Sequence, residues 1–239
     1  MVQRQHVVFV FGTLKRKEPN HRVMDDIKAT FIGTGRTALK QRLSLDERYG
    51  IPYLFMPTEK EEGHHVHGEV YLCDDAAMAF LDHFEGVPKM YEREQVSVLL
   101  EAPVTLREPS RLRMETGGVV NMCDGAAVDS LRQVLRDEEG LTDTIDLIDT
   151  LEQRMKAAQQ PTHDASRDSE SSPTPTPTPC ITPPPMETGP ATVTLLLRIV
   201  ANVYVCSRLN PQRGVIEKQE MIACYHDDGS YVKPDERRG

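Results

Sequence analysis

The hydrophobic and polar positions of this chain fall into short runs whose period changes several times. Residues 7–11 form a continuous apolar run that is β-branched and aromatic and stops at Gly12, which is typical of a buried strand. Between Val66 and Leu72, apolar and polar residues alternate with a period of two, which predicts another strand. Further strands are predicted at residues 30–39, 53–56, 92–101 and 192–205.

Two segments between these strands carry helical signals. Asn20 is predicted to cap a short helix that runs to about Lys28. Asp74 or Asp75 is predicted to cap a second helix, which ends before Gly86. Apolar residues of the second helix recur at positions i, i+3, i+4 and i+7, and they predict one buried stripe that consists of Ala77, Phe80, Leu81 and Phe84.

The periodic pattern breaks in the middle of the chain. Residues 103–124 are irregular and polar, and the apolar residues between Val128 and Met155 then predict one long amphipathic helix or two successive helices. Residues 159–190 are dominated by Pro, Thr and Ser and include the repeat PTPTPTP. Such a composition cannot bury a hydrophobic core, so we expect this part to be disordered or extended.

These signals predict a discontinuous domain. Residues 1–102 and 191–239 are expected to form one α+β unit of strands and helices. Residues 103–158 are expected to be an insertion with an amphipathic helix, and residues 159–190 a disordered linker rich in Pro, Thr and Ser. A long insertion is tolerated because the entropy of loop closure grows only logarithmically with length.

Composition and charge narrow the class of protein. Only 38% of the 239 residues are hydrophobic and none is Trp, which agrees with a compact part joined to a disordered part. The net charge of −9 argues against nucleic-acid binding, which needs a basic patch. No apolar stretch approaches the ~20 residues of a membrane-spanning helix. Five cysteines without a C-x-x-C pair, and no signal peptide, favour a reducing cytoplasmic location.

The segment Phe11-Gly12-Thr13-Leu14 is the first candidate for chemistry. After the strand ends at Gly12, the following backbone N–H groups have no partner in a β-ladder. If these groups converge, they form a site for an anion or an oxyanion without a charged side chain. The spacing alone favours an ordinary turn, and the segment matches neither a P-loop nor a GxGxxG fingerprint.

Glu85 is the second candidate, because it lies at the C-terminal end of the predicted helix. The helix terminus, Asp82 one turn earlier, and the apolar neighbours Phe84 and Val87 should each raise its pKa. A carboxyl group that titrates near neutrality suits a general acid or base. The alternative is a solvated glutamate at the end of a helix, which is the commoner case.

Histidines and cysteines give weaker signals. His65, His67 and Glu69 share one strand face that could suit a metal, but no other cluster supplies ligands. A polar strand face is therefore preferred, and no metal is assigned. The cysteines have no neighbouring base in the sequence pattern, so they are interpreted as core residues.

Several segments, in this order, resemble the γ-glutamylaminecyclotransferases of the wider γ-glutamylcyclotransferase-like (AIG2-like) family. The resemblance covers about residues 6–102 and 193–208, and the order of the matches makes it specific. The matching segments are VFVFGTLKR followed by PNHRVM, then IPYLF, GEVY, FLDHFEGVPKMYER and VYVCSR.

The resemblance implies a small mixed β-barrel flanked by helices. It implies that Phe11, Gly12, Thr13 and Leu14 bind the γ-glutamyl part of a substrate and that Glu85 carries the proton. The reaction would close the γ-glutamyl group into 5-oxoproline and release an amine, without a cofactor or metal. The family usually has Tyr at the position of Phe11, so a hydroxyl is missing here.

The activity implied by the resemblance is that of a γ-glutamylaminecyclotransferase, a transferase or lyase for a small-molecule substrate such as γ-glutamyl-ε-lysine. Cyclisation of γ-glutamyl amino acids or glutathione is one alternative. A non-catalytic binding protein on the same fold is another, and Phe11 favours it weakly. A third is an interaction protein whose insertion docks on a protein partner. Neither nucleic acid nor a membrane is an expected partner.

Overall fold

The computed structural model describes residues 5–56, 62–106, 119–136, 141–159, 191–233 and 236–237. The strands are β1 (Gln5–Val10), β2 (Thr30–Thr37), β3 (Leu43–Asp46), β4 (Ile51–Leu54), β5 (His67–Asp74), β6 (Tyr91–Leu106), β7 (Val119–Asn121) and β8 (Ala191–Cys206). The helices are α1 (Arg22–Asp26), α2 (Asp75–Phe84), α3 (Gly125–Arg136), α4 (Thr142–Gln159) and α5 (Arg213–Ile216).

Five strands close into a mixed β-barrel. The order β1-β5-β2-β6-β8 is antiparallel throughout, and a parallel contact at Val8 and Asn202 joins β8 back to β1. The side-chain amide of Asn202 reinforces this closure, because it donates to the carbonyl oxygen of Val7 at 3.0 Å. The predicted barrel flanked by helices is therefore confirmed.

Alternate residues of the barrel strands belong to two separate apolar clusters. Residues from all five strands meet in the first cluster, which is therefore the barrel interior; examples are Phe9, Val70, Ile32, Leu100 and Val203. The opposite faces of β1, β5, β6 and β8 form the second cluster with α1, α2 and the β3–β4 hairpin. Both faces of β5 are thus buried, although its sequence alternates.

Helix α2 buries a different stripe from the predicted one. Asp74 caps the helix as expected, since its carboxylate accepts from the N–H of Ala77 at 2.8 Å. Ala77, Met78 and Leu81 are buried, but the rings predicted to be buried are not: Phe80 is 47% exposed and Phe84 36%. The buried stripe includes Met78, which the prediction had omitted, and Glu85 follows Leu81 on it by four residues.

Other boundaries also differ from the predictions. Asn20 does not cap α1, because its side chain instead donates to the hydroxyl oxygens of Thr13 and Tyr231. Strand β6 continues to Leu106 because its partner β8 pairs with it along its whole length. Part of the segment predicted to be irregular is β7, which pairs in parallel with β8.

The predicted amphipathic helix is present as α3 and α4. Apolar residues of both helices, which include Leu131, Leu135, Ile148 and Leu151, join the same cluster as the barrel interior. Polar contacts also connect the two helices, because Arg132 pairs with Asp149 and Glu152. The division into a discontinuous domain and an insertion stays a prediction, and residues 160–190 lie outside the described part of the chain. Among the described residues, no helix is long and apolar enough to cross a membrane.

Leu131→Ala tests whether α3 and the barrel unfold together. Leu131 is completely buried, so the substitution should lower the free energy of unfolding by about 2–5 kcal/mol. All tyrosines lie outside residues 103–190, so tyrosine fluorescence during urea unfolding reports on the barrel and the segments packed on it, and not directly on α3 or α4. The fluorescence midpoint should fall in Leu131→Ala and stay unchanged in Leu39→Ala, whose side chain is exposed. An unchanged midpoint in Leu131→Ala would mean that the helices unfold independently.

Candidate active site

A pocket brings together the two segments that the sequence singled out. It lies where β1 ends, beside the C-terminal end of α2 and the facing ends of β6 and β8. Its free space of about 350 Å³ includes open solvent at the mouth. The lining residues are Phe9, Val10, Phe11, Gly12, Thr13, Leu14, Pro52, Glu85, Tyr91 and Tyr204.

Gly12 is required by a close approach and not by an unusual backbone angle. Its φ lies outside the left-handed region, but a Cβ atom at this position would lie 2.6 Å from Cγ of Pro52. Pro52 belongs to β4, whose hairpin partner is β3. The absence of a side chain at Gly12 therefore lets this hairpin pack directly on the end of β1.

The loop that follows Gly12 presents unused backbone donors. Within the described residues, the N–H groups of Gly12, Thr13 and Leu14 donate no hydrogen bond. Asn20 holds the loop in place, because its backbone N–H donates to the carbonyl oxygen of Thr13 at 2.9 Å and its side chain contacts the Thr13 hydroxyl. A fixed loop with free N–H groups can bind an anion or a developing oxyanion.

The two basic residues after Leu14 anchor this loop. Lys15 is buried, and its ammonium group donates to the carbonyl oxygen of Tyr225 at 2.5 Å. Arg16 donates through its backbone N–H and its Nε to the carboxylate of Glu69, at 2.9 and 3.0 Å. Both residues therefore hold the loop to the rest of the fold.

Glu85 supplies the carboxyl group among the residues that line the pocket. The residue is half-buried, and burial of its carboxyl group in the pocket raises the pKa to about 8. The effect predicted from Asp82 is not among the causes. The Asp82 carboxylate instead accepts from one guanidinium nitrogen, Nη1 of Arg93, which lies 3.1 and 3.0 Å from its two oxygens. The perturbation therefore comes from lost hydration alone.

Tyr91 and Tyr204 complete the polar wall, and the sequence analysis did not assign them a role. The Tyr91 hydroxyl donates to the carbonyl oxygen of Pro52 at 2.9 Å, and the Tyr204 hydroxyl donates to Asp82 at 2.8 Å. Burial raises the pKa of both phenols, so both keep their protons. Because these protons are already engaged, each hydroxyl oxygen can only accept from a ligand.

Phe11 lines the pocket and also belongs to the barrel interior. It is buried and packs in the same cluster as Leu43, Leu54 and Val66. A phenylalanine at this position supplies apolar contact but neither a hydrogen-bond donor nor an acceptor. The other polar groups of the lining residues are Glu85, the two tyrosine oxygens, the Thr13 hydroxyl, which accepts from Asn20, and the backbone of the loop.

The histidine cluster and the cysteines have other surroundings. A ring nitrogen of His65 contacts the carbonyl oxygen of Thr37. The Glu69 carboxylate accepts hydrogen bonds from Arg16 and Tyr71. Among the described residues, no group of three or more His, Cys, Asp or Glu is placed to hold a metal ion. Cys73 and Cys206 are buried, and burial raises the pKa of their thiols to about 12 and about 11.

Part of this chain is similar in sequence to known proteins. The family described as "Gamma-glutamyl cyclotransferase, AIG2-like" matches residues 8–114. The chain is 45% identical over 94 residues to the gamma-glutamylaminecyclotransferase of Rattus norvegicus and 42% identical over 98 residues to that of Homo sapiens. These matches cover 38% and 39% of this chain and 62% of each relative.

A solved structure is also similar to part of this chain. The crystal structure of an AIG2-like protein from Mus musculus is 40% identical, with a TM-score of 0.38, and the match covers 41% of this chain and 67% of that one. The chain is also 38% identical over 93 residues to a putative gamma-glutamylcyclotransferase of Vibrio cholerae, and this match covers 38% of this chain and 72% of that relative. The chain therefore belongs to the AIG2-like gamma-glutamyl cyclotransferase family. It matches somewhat less than two thirds of the rat and human relatives.

Gly12→Ala tests the close packing of Gly12 on Pro52. The added methyl group must displace the Pro52 ring or the loop, so the free energy of unfolding should fall by about 1–3 kcal/mol. Gly214→Ala is the matched control, because a Cβ atom there meets nothing within 4 Å and alanine favours the short helix α5. The midpoint of thermal unfolding should therefore fall in Gly12→Ala and rise in Gly214→Ala, relative to the wild type. Equal shifts would contradict the packing explanation.

Proposed function

We propose that this chain is a γ-glutamyl cyclotransferase that converts a γ-glutamylamine into 5-oxoproline and a free amine. The observation that carries the proposal is the pocket in which Glu85 faces the loop from Phe11 to Leu14. The family relationship supports a cyclotransferase, and the names of the rat and human relatives favour an amine as the leaving group.

The polar groups of the pocket complement a γ-glutamyl group. Such a group carries an α-ammonium, which donates hydrogen bonds, and an α-carboxylate and a γ-carbonyl, which accept them. The pocket offers acceptors on one side, in Glu85 and the hydroxyl oxygens of Tyr91 and Tyr204. It offers donors on the other, in the free N–H groups of the loop. We therefore assign the ammonium to the first side and the anionic oxygens to the second.

Glu85 would carry the proton through the reaction. The bound α-ammonium favours the ionised form of Glu85, which then takes a proton from the ammonium. The neutral amine attacks the γ-carbonyl carbon of the same molecule and closes a five-membered ring. The proton on Glu85 passes to the leaving nitrogen as its bond to the γ-carbon breaks, and the freed carboxylate takes the extra proton from the ring nitrogen and later releases it to solvent. Because the nucleophile is already tethered to the reacting carbonyl, the enzyme mainly orients it.

The loop after β1 would stabilise the charge that develops during this attack. The tetrahedral intermediate carries negative charge on the former carbonyl oxygen, and fixed backbone donors suit such an oxyanion. Phe11 contributes only apolar contact, and we propose that this changes the choice of substrate or the rate. A cytoplasmic location belongs to the same proposal, supported by the odd number and irregular spacing of the cysteines.

Glu85→Gln tests the role of the carboxyl group. The amide keeps the shape of the side chain but cannot take a proton, so kcat/KM should fall by about a hundredfold or more. The measurement is release of 5-oxoproline from γ-glutamyl-ε-lysine, other γ-glutamylamines, γ-glutamyl amino acids and glutathione. Glu47→Gln, at an exposed carboxylate on the β3–β4 turn, should keep wild-type activity.

The donor series separates the alternatives. Preferred turnover of γ-glutamylamines supports the proposal. Preferred turnover of glutathione or γ-glutamyl amino acids would mean that the substrate belongs to that class instead. If the wild type releases 5-oxoproline from no donor, the chain is a binding protein on the same fold. If Glu85→Gln releases 5-oxoproline as fast as the wild type, Glu85 does not carry the proton.

A further inference from the structure

Four ionisable or nucleophilic side chains meet outside the pocket, where the C-terminal segment crosses the loop after β1. The Cys224 Sγ lies 3.5 Å from Nε2 of His226 and 3.6 Å from Nζ of Lys15. The other ring nitrogen of His226, Nδ1, lies 3.1 Å from Oε1 of Glu18. A thiol, an imidazole and a carboxylate thus follow one another in a line of contacts.

Glu18 fixes the orientation of His226. The carboxylate is almost fully buried, and its second oxygen accepts from the backbone N–H of Asp227 at 3.0 Å. A carboxylate only accepts, so it favours the tautomer in which Nδ1 of His226 carries the proton. Nε2 is then free to accept a proton from the thiol of Cys224.

Lys15 supplies a positive charge on the other side of the sulfur. Its ammonium group is held in place by the carbonyl oxygen of Tyr225 and lies 4.0 Å from the carboxylate of Glu18. A nearby cation stabilises a thiolate, which is the nucleophilic form of cysteine. The polar groups in contact with the Cys224 sulfur are therefore a base, a cation and the carbonyl oxygen of Tyr225 at 3.8 Å.

Cys224 differs in this respect from the other described cysteines. Cys73 and Cys206 are buried away from solvent, and Cys123 is exposed but has no histidine in contact with its sulfur among the described residues. Cys224 is partly exposed, and 77% of the His226 side chain is exposed. A small molecule can therefore reach the sulfur and its base together.

We propose that Cys224 is a reactive thiol that exchanges with small-molecule disulfides, with His226 as its base and Glu18 as the residue that orients His226. The thiol proton passes to Nε2, and the thiolate attacks one sulfur of the disulfide. A new disulfide forms at Cys224, the original S–S bond breaks, and the leaving thiolate takes the proton from His226. Because Lys15 directly follows Leu14, the added group lies beside the anchor of the pocket loop.

The test compares the partly exposed thiol of Cys224 with the exposed thiol of Cys123 in the full-length chain. One variant carries Cys123→Ser and Cys180→Ser and keeps Cys224; the other carries Cys180→Ser and Cys224→Ser and keeps Cys123. Each reacts with an excess of neutral dithiodipyridine, and the absorbance of released thiopyridone gives the rate. Cys224 should react about tenfold faster than Cys123.

His226→Asn in the Cys224 variant identifies the base. This exposed substitution should slow the reaction of Cys224 about tenfold, whereas His67→Asn, at an exposed histidine of β5, should leave the rate unchanged. A slowing of less than about threefold by His226→Asn, or a Cys224 that reacts no faster than Cys123, would overturn the proposal. The readout uses no cyclotransferase activity, so it is independent of the proposed function.

Discussion

The antiparallel pairing of β6 with β8 holds together parts of the chain that are far apart in sequence. The register runs without a break from Tyr91 opposite Cys206 to Leu106 opposite Ala191. Toward the Tyr91–Cys206 end of the ladder, β8 contacts β1 and closes the barrel. Toward the Leu106–Ala191 end, β8 pairs with β7, and apolar residues of the strands pack with α3 and α4. The ladder fixes both ends of the long segment between the two strands. The entropy cost of closing that segment grows only slowly with its length.

The same pairing builds one wall of the pocket. It places Arg93 opposite Tyr204, and both side chains hold Asp82 of α2. Helix α2 is thereby fixed with the side that carries Met78 and Leu81 toward the barrel, and Glu85 reaches the pocket at its end. Arg93 and Tyr204 donate hydrogen bonds to Asp82. The raised pKa of the Glu85 carboxyl group comes from burial.

The sequence predicted the parts of the site that lie in continuous motifs. A strand end and a helix end drew attention to Phe11–Leu14 and to Glu85, but the local pattern alone favoured an ordinary turn and a solvated glutamate. Only the resemblance to the family assigned these residues a role. Tyr91 and Tyr204 could not be found in this way, because their positions depend on the β6–β8 register, and no local pattern shows that the two tyrosines line the same pocket. The burial of α2 was predicted incorrectly at Phe80 and Phe84, because periodicity gives the width of an apolar stripe more reliably than its rotation. Asn20 was assigned to a cap, but it binds Thr13 and Tyr231, a choice that depends on the distant C-terminal segment.

The central claim is that the fold keeps the Glu85 carboxyl group poised to take and return a proton. The most direct measurement is its titration by carbon-detected NMR in protein with labelled glutamate, with Glu85→Gln used to assign the signal. We expect a pKa of about 8. Because the folded state then binds a proton more tightly than the unfolded state, stability from this group is present below about pH 4.5 and is lost as the pH rises toward 8. A pKa near the ordinary value for glutamate, with no such loss relative to Glu85→Gln, would contradict the account.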